Sequence, residues 1–230
     1  MDREGAFLTL LQITDSFFPS GSFAYSWGLE AYVQEGIIRD QKGLGKFLRA
    51  YLTGFIARCD ALILRFALEA SEKEDLETIF CLDRRIHSMK LAKELREGSM
   101  QTGRQLLKVM GELKGLPIFD RFAAGIKTGR AWGHHPVVFG IVCGVLGIGK
   151  EETVLAYLYQ TVSAIVSAGV RLIPLGHMDG QRAMEGIKPE IQRIAGDLRL
   201  LNEGDLSSFA PGLEIRAMKH EHLYMRLFKA

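Results

Sequence analysis

Apolar positions recur at helical spacing over most of this chain. Asp40 is placed to cap a helix whose Phe47, Leu48, Tyr51, Leu52 and Phe55 share one face. Gly43, Gly45 and Gly54 weaken that helix by up to ~1 kcal/mol each. Ser71-Glu72-Lys73-Glu74 has the form of a capping box, so a helix carrying Leu76, Ile79, Phe80 and Asp83 is predicted to follow it. Residues 86–110 read as one amphipathic helix rich in Lys, Arg and Glu. Glu151 and Glu152 suit a first turn, where acids offset the positive end of the dipole, and Pro174 stops that helix. A further helix covers 178–201. Strand signals are poor: there is no clean alternation and no Asn-Gly or Asp-Gly hairpin between apolar runs. Val137-Val138-Phe139-Gly140-Ile141-Val142-Cys143 is a buried strand or a buried helix, and periodicity does not separate the two. The expectation is an all-α, single-domain, multi-helix bundle over residues 1–230.

Charge sharpens this picture. Residues 71–130 hold 21 charged side chains, whereas 131–170 hold three, Lys150, Glu151 and Glu152. The uncharged stretches 131–149 and 153–170 approach the ~20 residues of a membrane span. They also carry Tyr, Gln, Ser, five glycines and a His-His pair, without flanking basic clusters, and so read as a pair of buried helices. Gly140 and Gly144, four apart, would let the backbones of that pair approach closely. Gly144 to Glu151 spells GxxxxGK followed by Glu, where a phosphate loop needs Ser or Thr for its magnesium; a turn between core helices is the better reading.

A net charge of +2 from 29 Lys+Arg and 27 Asp+Glu gives no basic face for nucleic acid. Three dispersed cysteines, Cys59, Cys81 and Cys143, form no disulfide framework and suit a reducing compartment. The first residues lack a signal-peptide pattern, so a cytoplasmic protein is expected. Asp83 and His87 share a helix face, as half a metal site or as a solvated pair. His134 and His135 point different ways from a helix start and do not chelate one ion together. His220 and His222 lie in a polar segment that reads as a solvated tail or as imidazoles for a transition metal. No Ser, Cys or carboxylate arrangement forms a catalytic constellation. Phe17, Phe18, Phe23, Tyr25, Trp27 and Tyr32 cluster near the N-terminus, as interface anchors or as core. Residues 209–230 form a short amphipathic element that docks on a partner or on its own domain.

Three stretches become specific together. Leu10 to Glu30 contains LLQ, FPSGSF and SWGLE; Tyr157-Leu158-Tyr159 precedes VRLIPLGHMDGQ at 170–181; and MKHEHLYMRLF covers 218–228. In order and spacing these resemble the UreF family of urease accessory proteins. The resemblance implies a homodimeric helical protein that is not an enzyme and needs no cofactor. It would bind the accessory protein UreD (or UreH), recruit and regulate the GTPase UreG, and serve nickel insertion into apo-urease. Carried over by position, the partner-binding candidates are Pro19, Gly21, Phe23, Ser26, Gly28, Leu29 and Glu30, then Pro174, Gly176, Asp179, Gly180 and Gln181, then His220, Glu221, Tyr224, Arg226 and Leu227. Residues 205–230 would be the segment that meets UreD or UreH. Phe23 stands where the family often has Tyr, and His177-Met178 replaces a more usual Gln-Thr or Gln-Asn. The charge-poor helix suggests Tyr157, Leu158 and Val162 as a dimer core. No metal ligand is assigned. On the residues alone, an enzyme assembled from distant segments and a membrane-embedded helical protein also stay open.

Overall fold

Asp2 and Asp40 open two helices in the same way. Each carboxylate accepts from a backbone N–H three residues on, Gly5 at 2.9 Å and Gly43 at 2.7 Å. The structure, a computed structural model, describes residues 2–229, and every regular element among them is helical. Helix α1 (Arg3–Thr14) leads through an aromatic loop to α2 (Leu29–Gln34). Helix α3 (Gln41–Tyr51) runs without a break through a wider, π-type segment, Leu52–Ala61, into α4 (Leu62–Ser71). Helices α5 (Leu76–Met89), α6 (Lys93–Lys114) and α7 (Pro117–Lys127) form the charged part of the chain. The apolar part is α8 (His135–Val145) and α9 (Lys150–Leu172), followed by α10 (His177–Asp197) and α11 (Pro211–His220).

The core forms around α8 and α9. Every residue of α8 from Pro136 to Gly144 is buried, and α8 packs most extensively on α4, then on α6. At ~25 cal/mol per Å² of apolar surface, this all-round burial is a main source of stability. The ambiguous run 137–143 is therefore the buried helix. Gly140 and Gly144 do allow a close approach, but the partner is α4 and not α9. A methyl on Gly140 would meet the Leu64 carbonyl and lie 3.0 Å from Ala67, and one on Gly144 would strike Ser71 and the Leu68 carbonyl. Helix α9 is packed by α1, α2, α3, α8 and α10. Among the described residues it is the one helix long and apolar enough to cross a membrane, and half of its apolar window is buried within the fold. Helix α1 seats Ala6, Leu10 and Ile13 in the core and leaves Phe7, Leu8 and Leu11 outside.

Tertiary contacts redraw two predicted features and bear out a third. Ser71 does not cap the helix after it: it closes α4, its hydroxyl donating to the Leu68 carbonyl at 2.8 Å, and Asp75 caps α5 through the Thr78 N–H. The single helix 86–110 is two helices. It breaks at Lys90, whose extended backbone carries the ammonium inward to Asp60, and Arg96 satisfies the freed carbonyls of Lys90 and Leu91. In the loop that mimics a phosphate site, Gly147 takes a left-handed φ of +70° that turns α8 into α9. Lys150 there pairs with Glu69 at 3.4 Å and Glu72 at 3.7 Å.

Candidate functional site

The two ends of the chain meet. Leu213, Ala217 and His220 line one face of α11 and are buried against α2 and α6. Gly28, at φ +88°, opens α2; a methyl there would lie 2.7 Å from Leu213, so backbone geometry and α11 both demand glycine. At the end of α11, His220 has no solvent exposure. Its Nε2 sits 3.0 Å from Glu30 Oε2 and its Nδ1 2.6 Å from Glu94 Oε2. Glu30, itself 2% exposed, also accepts from the backbone N–H of Leu227 at 2.7 Å and of Phe228 at 3.1 Å. Glu94 accepts from Arg226 at 2.8 Å. The segment after His220 is therefore a strap drawn back over α2 and α6. Gln34 donates to the Met225 carbonyl, and the Lys229 N–H donates to the Ala24 carbonyl. Phe228 is buried beneath the guanidinium of Arg171, which lies 4.5 Å from its ring and also donates to the Phe23 carbonyl.

This arrangement corrects the reading of the tail as solvated. His220 is the buried hinge of the network, with both ring nitrogens committed to carboxylates, while His222 stays on the surface. Glu30 and Glu94 are the paired carboxylates that no local spacing announced, since they come from different helices. Arg171 joins the second sequence motif to the first and third. The outer side chains of the strap, Tyr224, Met225 and Leu227, stand in solvent, and Leu227 shares a surface pocket with Phe23.

Other candidates fall elsewhere. Pro19 is exposed, Gly21 takes a left-handed φ of +77°, and buried Ser26 accepts from the Glu30 N–H at 3.2 Å. Leu29 is core. Glu221 faces Lys93 at 3.9 Å. Pro174 and Gly176 lie in the turn before α10, and Asp179, Gly180 and Gln181 lie at its start. Asp179 sits one turn inside that helix, its carboxylate accepting from the Gly176 N–H at 3.1 Å, and Gly180 lets α10 close on Val170 and Val166. These residues do not join the strap network. The proposed dimer core is overturned: Tyr157 is 2% exposed and Leu158 and Val162 are 0% exposed within one chain, because α9 is wrapped by its own neighbours. They have no surface left to offer a second copy.

Two further buried polar clusters brace the interior. Lys90 and Asp60, 3% and 4% exposed, pair at 2.7 Å, with the Tyr157 hydroxyl donating to Asp60 at 3.1 Å and the ammonium over the Phe55 ring. Burial, reinforced by Asp60, pushes the Tyr157 hydroxyl well above its usual range and raises the Cys59 thiol. The adjoining cavity, lined by Ser22, Trp27, His135 and Gln160 among others, measures about 30 Å³, room for a water or two. Asp83 and His87 are neither a solvated pair nor half a metal site. Asp83 is fully buried and accepts from the N–H groups of Trp132, Gly133 and His134 at 2.5, 3.1 and 2.8 Å. Its burial raises its carboxyl against those bonds. His134 is held by Ser99 and His87, each at 3.1 Å, and burial pushes it down to about 2. Among the described residues, no three His, Cys, Asp or Glu side chains converge as a metal site.

Fold and site define a single-domain, all-α protein whose N-terminal loop and C-terminal strap are knitted into one surface by a buried ionic network. The UreF family model matches residues 38–188. The urease accessory protein UreF of Bacillus sp. (strain TB-90) is 38% identical over 221 residues, covering 96% of this chain and 97% of that protein. Those of Lachnoclostridium phytofermentans and Geobacillus kaustophilus are 36% and 37% identical over 96% of this chain, covering 97% and 96% of their own lengths. The chain belongs to the UreF family of urease accessory proteins.

Proposed function

We propose that this chain works by binding and not by catalysis, as a scaffold in urease maturation. It joins UreD (or UreH), recruits and regulates the GTPase UreG, and so supports GTP-dependent insertion of nickel into apo-urease. One observation carries this reading. Three segments distant in sequence are tied together from beneath by Glu30, Glu94, Arg171 and His220, while Phe23, Tyr224, Met225 and Leu227 are left exposed above. A braced base under exposed aromatic and apolar side chains is what a protein-docking surface needs. Residues 205–230 are the segment assigned to UreD or UreH.

The protein acts without a cofactor of its own and without nucleic acid, in the cytoplasm, as a homodimer. Since the inward residues of α9 are spent in the core, the dimer surface is assigned to its outward face, where Tyr159 is exposed.

Size-exclusion chromatography of the chain with its UreD/UreH and UreG counterparts tests the scaffold role, beside a chain ending at Gly204. Co-elution by the full chain, lost on truncation, is the expected result. A folded full chain that co-elutes with neither partner overturns it.

A further inference from the structure

We propose that Arg96 and Arg104, with His87, Leu91 and Trp132, form a second docking surface, one that takes an acidic peptide segment of a partner protein. Three elements build it. Arg96 and Arg104 come from α6, His87 from the last turn of α5, and Trp132 from the loop that leads into α8. Backbone carbonyls hold both guanidinium groups in place. Arg96 Nη1 donates to the carbonyls of Lys90 and Leu91 at 2.8 and 3.1 Å, and Arg104 Nε to that of Trp132 at 2.8 Å. Among the described residues neither forms an ion pair with a carboxylate, whereas Arg85, Arg121 and Arg130 of the same part of the chain each do. A guanidinium carries five N–H donors in one plane, so donors remain on each for an external acceptor.

The two positive charges converge on one ring. Burial first, then Arg96, hold the His87 imidazole below its ordinary value; Asp83 opposes them, and Arg104 adds to them. The carboxylates nearby are spent elsewhere. Asp83 is sealed from water on the N–H groups of Trp132, Gly133 and His134, and Asp60 pairs with Lys90. Glu97 acts on Tyr25. Glu94, two residues and about 200° round α6 from Arg96, serves the strap.

The chemistry left over favours a carboxylate. The run of N–H groups at 132–134 would suit a phosphate, but Asp83 already fills it. What remains is a pair of planar guanidinium groups, whose forks match carboxylates, beside apolar surface. His87 stacks on Trp132 at 4.2 Å, both half-buried, and Leu91 is 58% exposed. A charged clamp against an aromatic wall suits an acidic segment that also carries an aromatic side chain. Two arginines are too few for the counterion release that binds nucleic acid. Because the guanidinium groups are fixed in advance, little rotamer freedom is lost on binding. This surface does not rest on the docking role proposed for the strap.

The test titrates the nitrogen-15-labelled full chain with a synthetic Asp/Glu-rich peptide bearing one tryptophan. Fluorescence anisotropy of the tagged peptide gives the affinity. Shifts are expected at the Arg96 and Arg104 Nε–H groups, the Trp132 indole N–H and the Leu91 amide, and not at the strap amides of Leu227 and Phe228. Arg104→Gln should weaken binding about tenfold or more, the weight of one hydrogen bond to a charged group. Arg104→Lys should weaken it as well, since lysine keeps the charge and loses the fork. Circular dichroism matching the parent chain shows that both variants are folded. Binding should fade toward about 1 M salt, where screening acts within ~3 Å. Binding that Arg104→Gln leaves unmoved in a folded chain overturns the inference, and so do shifts confined to the strap. Tighter binding of a matched phosphopeptide or of an oligonucleotide overturns the assignment to a carboxylate partner. Peptide bound at Arg104 by a chain that does not co-elute with UreD/UreH would defeat the strap's docking role and leave this surface standing.

Discussion

Asp60 and Lys90 are the side chains on which the interior most depends. A buried pair losing one member leaves an uncompensated charge, so Asp60→Asn or Lys90→Met should each cost about 3–5 kcal/mol. Replacing both, as Asp60→Leu with Lys90→Met, should cost much less than the sum. Urea denaturation of the singles and the double checks this, and additive losses would mean that the pair is not coupled. The buried histidines give the molecule an acid limit. Burial pushes His134 down to about 2 and His135 to about 4 from an ordinary 6.5. Unfolded chains take up these protons below that ordinary value and the folded chain does not. Stability is thus full above pH 6.5 and is lost as pH falls toward 4, by roughly 1.4 kcal/mol per pH unit for each fully buried imidazole and less for His135, which faces the cavity. Urea midpoints at about pH 7 and 5 should differ accordingly; equal midpoints would place these rings in water.

The contact between α4 and α8 is the tightest pairing of elements. Gly140→Val must push α8 away from the Leu64 carbonyl, for which about 1–3 kcal/mol or more is expected. Gly147→Ala makes the contrast. Its φ is +70° but nothing lies within 4 Å, so only backbone strain of about 1 kcal/mol is at stake. Thermal denaturation of both variants separates the two costs, and a Gly140→Val protein as stable as Gly147→Ala would refute the close packing. The break between α5 and α6 belongs to this scale too. Residues 90–92 lie within an amphipathic pattern that continues across them, and the helix ends there because Lys90 must reach Asp60.

For the whole molecule, the placement of α9 decides which substitutions touch folding and which touch assembly. Val162→Glu buries a charge in the protomer core and should abolish folding. Tyr159→Asp, on the exposed side of α9, should keep the helical circular dichroism spectrum and convert the proposed dimer to a monomer. Light scattering beside circular dichroism tells these apart. A folded Val162→Glu chain would contradict the core position of α9, and a dimeric Tyr159→Asp chain would move the dimer surface elsewhere.

The helical class, the cap at Asp40, the acidic first turn of α9, the stop before Pro174 and the family motifs were all legible in the sequence. They rest on hydrogen bonds within a turn or two of helix and on residue strings read directly. Periodicity also marked 137–143 and α9 as buried, but a buried stripe does not say what covers it. Hence Gly140 and Gly144 meet α4, and Tyr157, Leu158 and Val162 face their own core. The roles of Asp83, Lys90, His134 and His220 were out of reach for a related reason. A charge or imidazole leaves water only when partners are brought to it, and those partners come from helices far away in the chain. Local spacing showed such residues as surface pairs or a solvated tail; only the tertiary structure, by supplying Asp60, Ser99, Glu30 and Glu94, turned them into the braces of the core and the anchor of the C-terminal strap.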